Sequence, residues 1–387
     1  MSDQDKRLGV YFHIPFCASK CAYCDFCSLP GRDKLMPYYQ DALLIQLQET
    51  MPRMTDYFID TVYFGGGTPS YYGARRIVEI LQELKVTNRL MKQSEITVEC
   101  NPDSVRRKEL RMLRKEGVNR LSIGAQSAND DILRLIGRRH NWKQVEMAVG
   151  AARDADFDNL SIDLIYGLPG ETDRRWQDDL QQAVALDVEH ISAYHLTYEE
   201  GTPLYDMLQA HRVSQVDEDS SLRFFSALTD TLGKAGYVHY EISNFCKPGR
   251  HSRHNTSYWQ GIPYLGCGPS AHSFDGVGRE WNVSSLTQYI EGMESGNRPF
   301  ETEYRDTATR YNECVMTALR TMWGIPMKQL RQEYGEKLYR YCLDMAAPYL
   351  TDGKLELKDG FLRLTRRGIF VSDGISENDQ LKGEEII

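Results

Sequence analysis

Long apolar runs are missing from this sequence of 387 residues. No stretch approaches the roughly 20 apolar residues that a transmembrane helix needs, so a membrane span is not expected. Residues 1–16 mix acidic and basic side chains and contain no long apolar segment, so we expect no secretory signal. The chain is therefore expected to be cytoplasmic.

An excess of basic side chains is also missing. The sequence carries 46 Lys and Arg against 55 Asp and Glu, which gives a net charge of −9. This balance excludes a surface that attracts nucleic acid as a whole, and we expect no nucleic-acid partner. A disulfide framework is not expected either, because the nine cysteines are odd in number and five of them are scattered singly. In a reduced compartment this distribution favours a local metal site.

Four cysteines are concentrated in residues 17–27, CASKCAYCDFC. A zinc ribbon needs a second Cys-x-x-Cys further along the chain, which is missing. A thioredoxin-like dithiol agrees with either Cys-x-x-Cys pair, whereas four-cysteine ferredoxin clusters use other spacings. The spacing favours a fourth interpretation, a [4Fe–4S] cluster held by Cys17, Cys21 and Cys24 that leaves one iron open to a ligand.

Short β-branched or aromatic runs alternate with longer helical patterns over the first 240 residues. The predicted strands are 9–14, 61–66, 95–100, 119–124, 159–167 and 190–196, and the predicted helices lie near 37–51, 73–86, 105–116, 129–154, 172–186 and 217–235. Six such repeats predict a parallel sheet covered by helices. A doubly wound sheet and a complete or partial β/α barrel both agree with this pattern, and both bind ligands at the carboxyl ends of the strands.

Chemically distinctive residues lie at those predicted strand ends. They are the cysteine cluster, the turn Gly65-Gly66-Gly67-Thr68-Pro69, Glu99, Gln126, Asp163 and His195. Asp163 interrupts an apolar strand, and a buried carboxylate needs a partner or a ligand. We expect Arg138 to be that partner. The sequence thus predicts one site at one edge of the sheet.

Changes in residue composition and pattern along the sequence predict three domains. Residues 1–245 form the alternating core, and residues 246–300 are rich in Gly, Pro, His and aromatics, which predicts an irregular connecting segment. Residues 301–387 show helical patterns followed by two short strands around Asp359-Gly360, a hairpin signal. This order suggests a winged-helix-like module. Because it has no basic excess, a packing role is favoured over DNA binding.

Several motifs extend along the whole chain: YFHIPFCASKCAYCDF, VYFGGGTPS, ITVECNPD, RLSIGAQS, LIGRRH, SIDLIYGLPG and LGCGPSAHSF. Together they resemble the radical S-adenosylmethionine (SAM) superfamily, in particular the oxygen-independent coproporphyrinogen oxidases and their relatives, the HemW-type heme chaperones. The resemblance implies an α/β fold, a partial (β/α)6 TIM-like barrel with a C-terminal, mainly helical, winged-helix-like accessory domain. It also implies a [4Fe–4S] cluster whose open iron is chelated by SAM.

The same resemblance implies roles for individual residues. Cys17, Cys21 and Cys24 match the cluster ligands. The residues that match SAM-binding positions are Tyr11, Tyr23, Gly66, Gly67, Thr68, Glu99, Gln126, Arg138 and Asp163. Glycines without side chains let the backbone approach a ligand closely.

Three features separate this chain from the oxidases. Phe26 stands where they carry a fourth cysteine, while Cys27 follows one residue later. Sixteen residues precede Cys17, and we expect the longer N-terminal element of the oxidases to be missing. The sequence also contains His254-Asn-Thr-Ser-Tyr258-Trp259, which resembles the His-Asn-x-x-Tyr-Trp motif of the chaperone branch. It makes His254, Tyr258 and Trp259 the candidate heme residues, with His254 as the candidate iron ligand. The nearby His251, another residue or a covalent attachment are the alternatives.

The resemblance favours a heme chaperone that uses the cluster and SAM and carries heme as cargo to heme-requiring, respiratory proteins. It implies an electron donor, a homodimer and peripheral contact with membrane-bound recipients. The alternative is an oxygen-independent coproporphyrinogen III oxidase, a radical SAM enzyme that decarboxylates its substrate to protoporphyrinogen IX. Whether the chain catalyses a reaction of its own is left open by the sequence.

Overall fold

The computed structural model describes residues 6–87, 89–378 and 380–381, so residues 1–5 of the N-terminal stretch lie outside it. Within these ranges one large sheet and two small ones organise the chain. The strands are β1 (Arg7–Ile14), β2 (Phe16–Cys17), β3 (Leu29–Pro30), β4 (Phe58–Gly66), β5 (Leu90–Cys100), β6 (Arg120–Gln126), β7 (Leu160–Tyr166), β8 (His190–His195), β9 (Val238–Glu241), β10 (Asn244–Cys246), β11 (Tyr264–Cys267), β12 (His272–Phe274), β13 (Arg279–Asn282), β14 (Phe300–Glu303), β15 (Ile325–Pro326), β16 (Leu355–Lys358) and β17 (Phe361–Leu364).

Helices follow most of the parallel strands, as the alternating pattern predicts. They are α1 (Met36–Thr50), α2 (Pro69–Tyr72), α3 (Ala74–Val86), α4 (Arg107–Glu116), α5 (Asp130–Leu135), α6 (Trp142–Arg153), α7 (Asp173–Ala185), α8 (Pro203–Gln209), α9 (Glu218–Lys234), α10 (Arg253–Trp259), α11 (Leu286–Glu294), α12 (Thr307–Leu319), α13 (Met327–Thr351), α14 (Arg366–Ile369) and α15 (Ser372–Asn378). The single helix predicted near 129–154 is wrong, because α5 and α6 divide that stretch. None of the helices in the described ranges is long and apolar enough to cross a membrane.

The order of the strands decides between the two predicted architectures. Strands β1, β4, β5, β6, β7 and β8 lie side by side in chain order and are parallel. A doubly wound sheet would reverse this order at a switch point. The uninterrupted order is that of a barrel, and the sheet continues beyond β8 into the antiparallel strand β10 and beyond β1 into the parallel strand β11. The prediction of a partial (β/α)6 barrel is therefore confirmed.

The two faces of this sheet differ in chemistry. On β1, the side chains of Leu8, Val10, Phe12 and Ile14 are fully buried in the core. This apolar face packs beneath helices such as α1 and belongs to one continuous core. The inner face carries polar side chains instead, and they line a cavity at the carboxyl ends of the strands. Such a division leaves the barrel interior free for ligand chemistry.

Residues 246–300 do not form the irregular segment that their composition predicts. Strand β11 pairs in parallel with β1, and β12, β13 and β14 extend the sheet by antiparallel pairing. Helix α10, which carries the His-Asn-x-x-Tyr-Trp motif, contacts β4. The segment therefore completes the barrel sheet, and the boundary expected at residues 245 and 246 is not a break in the fold.

The C-terminal region has a core of its own, built on residues such as Tyr311, Val315 and Leu330. Its helices α12 and α13 are followed by the hairpin of β16 and β17, in the order expected of a winged-helix-like module. The turn residues Asp359 and Gly360 have φ of 53° and 81°, as a two-residue hairpin turn requires.

Gly266 on β11 provides a test of how tightly the sheet extension packs. An added Cβ would lie 2.1 Å from the carbonyl oxygen of His272 on β12. We predict that Gly266→Ala lowers the free energy of unfolding by about 3 kcal/mol, because backbone cannot move aside as a side chain can. Urea unfolding followed by circular dichroism measures this change.

The matched control is Gly150→Ala in α6, where an added Cβ meets no atom within 4 Å. This substitution is expected to raise stability by about 1 kcal/mol, the difference in helix propensity. Equal stabilities of the two variants would contradict the packing described for β11 and β12.

Candidate functional site

A cavity of about 440 Å³ lies at the carboxyl ends of the parallel strands. Cys17, Cys21 and Cys24 line it, together with every residue matched to SAM except Tyr11. Those lining residues are Tyr23, Gly66, Gly67, Thr68, Glu99, Gln126, Arg138 and Asp163. The structure thus brings together residues that are up to 146 positions apart in the chain, as the strand-end rule predicts.

The cysteine loop is held by backbone hydrogen bonds on several sides. Strand β2 ends at Cys17 and pairs with β3, which closes the loop at its base. In the middle of the loop, Ala22 N donates to Ile136 O at 2.9 Å and Leu204 N donates to Ala22 O at 2.8 Å. These contacts tie the loop to the segments that follow β6 and β8. The three thiols are therefore positioned by the barrel and not by the loop alone.

The thiols lie in an environment that suits a cluster held by thiolates. All nine cysteines are free. Burial raises the pKa of the Cys17 and Cys24 thiols, while the hydroxyl of Ser28 counteracts this shift. The Arg138 guanidinium donates to Cys21 Sγ at 3.6 Å. A coordinated iron ion would remove the remaining protons.

The three thiols of the loop do not converge on a single metal ion. Within the part of the chain that the structure describes, no three His, Cys, Asp or Glu side chains converge on one metal position. A cubane binds each thiolate to a different iron, so its ligands stand further apart. Three thiols on the wall of one cavity fit that requirement, and Cys27 does not line this cavity.

The glycine turn packs against the segment that leads into Cys17. Gly67 N donates to Ile14 O at 2.7 Å, and Thr68 N donates to Phe16 O at 2.8 Å. A Cβ at Gly67 would lie 2.7 Å from Phe16 O. At Gly67 the close approach in the structure is made by the chain's own backbone, and the expected approach of these glycines to a ligand stays a prediction.

Glu99 stands beside this turn. Its Oε1 accepts from the Tyr63 hydroxyl at 2.7 Å, and its Oε2 accepts from Gly66 N at 3.2 Å. Burial raises the pKa of Glu99 to about 7, although these hydrogen bonds and Arg120 act in the opposite direction. A cationic group in the cavity would favour the carboxylate form.

Arg138 connects the cysteine loop to two strand ends. Its Nη2 donates to Asn101 Oδ1 at 2.8 Å and to Gly124 O at 2.7 Å, and Asn101 Nδ2 donates to Thr68 Oγ1 at 3.2 Å. Gln126 lies at the end of β6 with φ of 69°, in the left-handed region that non-glycine residues rarely adopt. Such a conformation is typical of functional sites.

The expected pairing of Asp163 with Arg138 is wrong. Both residues are described, and no ion pair joins them. The Ser122 hydroxyl donates to the Asp163 carboxylate at 3.2 Å, and the Ser192 hydroxyl also stabilises it. Burial nevertheless raises the pKa of Asp163. Arg120 and Arg138 also favour its charged form from a distance, but neither forms an ion pair with it, which leaves the carboxylate available to a ligand.

The sequence did not predict four further residues that line the cavity, namely Arg120, Tyr63, Tyr194 and Asn255. Arg120 is 1% exposed, and among the described residues its Nε has no hydrogen-bond partner. It is a charged residue at the start of the buried strand β6, so a signal of the kind that revealed Asp163 could have revealed it. Tyr63, Tyr194 and Asn255 carry no comparable signal.

The structure places the candidate heme residues outside the main cavity. His254 is 1% exposed, and its ring lies beside those of Tyr63 and Tyr11. Both ring nitrogens are engaged, Nδ1 with Thr61 Oγ1 at 2.8 Å and Nε2 with Tyr258 Oη at 2.8 Å. Because both ring nitrogens are hydrogen-bonded, neither is free to bind iron in this conformation. The interpretation of His254 as the iron ligand therefore needs correction.

The other two residues of the motif, and Tyr11, lie elsewhere. Trp259 lies under the Arg320 guanidinium, 5.8 Å from it. Tyr11 and Tyr258 line a second cavity on the far side of the cysteine loop. Tyr11 also contacts His13 Nδ1 through its hydroxyl at 3.1 Å, so the predicted contact with SAM stays a prediction.

The barrel, the three-cysteine loop and the cavity define the class of protein. Residues 11–183 match the model of the radical SAM superfamily, and residues 306–371 match that of the HemN C-terminal domain. A heme chaperone HemW of Bacillus subtilis is 32% identical over 93% of this chain and 96% of its own length. One from Mycobacterium tuberculosis is 32% identical over 95% and 93%. The chain belongs to the HemW family of radical SAM proteins.

A solved structure agrees on the fold. Coproporphyrinogen III oxidase (HemN) from Escherichia coli, a radical SAM enzyme, superposes with a TM-score of 0.84 over 97% of this chain and 90% of its own. The two sequences are 22% identical, so the likeness bears on the architecture. It includes both the barrel and the C-terminal domain.

The ligand assignment predicts different outcomes for two cysteines of the same loop. We expect Cys17→Ala to abolish the visible absorbance of the [4Fe–4S] cluster after anaerobic reconstitution, because one of three thiolates is lost. Cys27→Ser is the matched control and should retain the absorbance and the iron content. Loss of the cluster in both variants would contradict the assignment.

Proposed function

We propose that the protein is a heme chaperone, which binds heme and, with a [4Fe–4S] cluster and SAM, delivers it to heme-requiring respiratory proteins. The proposal rests on which cysteines line the main cavity and which one does not. Cys17, Cys21 and Cys24 line the cavity, whereas Phe26 occupies the position of the oxidases' fourth cysteine. The Cys27 thiol instead donates to Ser284 O at 3.5 Å. The relatives named as heme chaperones support the same reading.

In this proposal the three thiolates hold the cluster, which when bound supplies a redox-active iron with one open coordination position. Arg138 stabilises the negative charge of Cys21. Glu99 is placed to accept from a cationic group, such as the ammonium of SAM, because its carboxylate is buried beside the glycine turn. Thr68, Gln126 and Asp163 line the same cavity and supply further polar groups.

The barrel also restricts what reaches the site. Tyr23 and Tyr63 are buried around the cavity, and burial raises the pKa of both phenols, so they remain neutral hydroxyls. The buried wall excludes water, and the neutral hydroxyls can orient a bound ligand by hydrogen bonding. These side chains position ligands in the proposal and donate no proton.

The partners follow from the same proposal. A redox-active cluster needs an electron donor, and delivery needs a heme-accepting protein. We infer a cytoplasmic chaperone that forms a homodimer and makes peripheral contact with the membrane to reach respiratory recipients. The family resemblance supports each of these inferences.

The proposal predicts that the reconstituted protein binds hemin with a defined stoichiometry and does not convert coproporphyrinogen III. The second expectation rests on Phe26, which removes the oxidases' fourth cysteine. Anaerobic hemin titration by absorbance measures the first. Product analysis after incubation with coproporphyrinogen III, SAM and a reductant measures the second.

The same reconstituted sample serves both assays, so that inactivity cannot be attributed to a missing cluster. Conversion of coproporphyrinogen III at a catalytic rate would identify the protein as an oxidase. Failure to bind hemin would equally overturn the chaperone proposal.

A further inference from the structure

A second cavity, of about 800 Å³, lies beside the main one. The cysteine loop separates the two, because Lys20, Asp25, Phe26 and Ser28 line both. The main cavity measures about 440 Å³ and already contains every described residue assigned to the cluster, with most of those assigned to SAM. The second cavity is the larger of the two and offers room for a further large ligand next to the loop.

The walls of the second cavity suit a flat aromatic molecule. Tyr11, Tyr258 and Tyr264 supply ring surface from β1, α10 and β11. Phe26 at the rim is 62% exposed, although phenylalanine is usually buried. Aromatic side chains recognise flat ring systems by stacking and edge contacts. Exposed aromatic surface at a concave site is typical of ligand binding.

One imidazole on this wall is free to bind a metal. His272 on β12 is exposed, and its ring stacks on that of Trp281 with centroids 5.4 Å apart. No hydrogen bond to either of its ring nitrogens is found among the described residues. His13 lines the same cavity, but its Nδ1 contacts the Tyr11 hydroxyl and its Nε2 contacts Cys27 O at 2.8 Å. Of these two rings, His272 is the one whose nitrogens are accessible.

We propose that this second cavity binds the iron tetrapyrrole and that His272 is an axial ligand of its iron. The inference rests on the proposed chaperone function and adds the place and the ligand of the cargo. The Lys20 ammonium, which donates to Phe26 O at 3.3 Å, stands at the rim and can pair with a propionate carboxylate.

This placement also explains the two residues of the loop that the cluster does not use. Phe26 and Cys27 lie two and three residues after the ligand Cys24 and line the second cavity, and Phe26 lines the main cavity as well. A tetrapyrrole in contact with them lies next to the cluster loop. Tyr258, from the His-Asn-x-x-Tyr-Trp motif, contributes wall surface, while His254 fixes its hydroxyl from behind.

The test compares hemin binding by reconstituted wild type, His272→Ala and His251→Ala. His251 makes an edge-to-face contact with Trp323 and lines neither cavity. It is therefore the matched control. We expect His272→Ala to shift the Soret band and to weaken hemin binding at least tenfold, and His251→Ala to change neither. Added imidazole should restore the wild-type spectrum of His272→Ala, a rescue that a merely structural role would not give.

A second variant, Phe26→Asp, tests the cavity without touching the ligand. It places a charge on the aromatic rim and should weaken hemin binding while the cluster absorbance is retained. Unchanged hemin binding in both His272→Ala and Phe26→Asp would overturn the assignment of the cavity. Failure of the wild type to bind hemin would instead overturn the proposed function, so the two failures are distinguishable.

Discussion

The close approach of two backbone segments supports the rest of the site. The turn Gly65–Gly67 at the end of β4 packs directly on the residues Ile14–Phe16 that lead into Cys17. Any side chain at Gly67 would separate them. This contact places the first cysteine of the loop over the carboxyl ends of the strands, where ligands of parallel barrels bind. Gly66 N of the same turn donates to Glu99. The turn therefore positions both the cysteine loop and the Glu99 carboxylate.

The barrel interior must accommodate charge without the usual ion pairs. Asp163 relies on serine hydroxyls, Glu99 on Tyr63 and a backbone amide, and Arg138 on an amide side chain and a carbonyl. Arg120 favours the charged forms of Glu99 and Asp163 from a distance, but without an ion pair these buried carboxylates keep a preference for a closer opposite charge. A zwitterionic ligand such as SAM offers both signs, which explains why this interior is polar although it lies inside an apolar shell.

Much of the barrel is predictable from the sequence because long strands and helices carry strong patterns. Cys17, Cys21, Cys24 and Asp163 are predictable because their types are rare at their positions. The partner of Asp163 is not, since it depends on which side chains the fold brings near. Strands β11–β14, of three or four residues each, escape prediction because so short a run has no periodicity. The burial of His254 is not predictable from the sequence either, because its helix is covered only when those short strands complete the sheet.

The central claim is that three thiolates hold a cluster whose fourth iron is open within the main cavity. Electron paramagnetic resonance of the reduced, reconstituted protein, recorded with and without SAM, tests it most directly. The account predicts that SAM changes the g values of the cluster signal, because it binds the iron that lacks a protein ligand. An identical signal with and without SAM, in a sample shown by equilibrium dialysis to have bound it, would contradict the account.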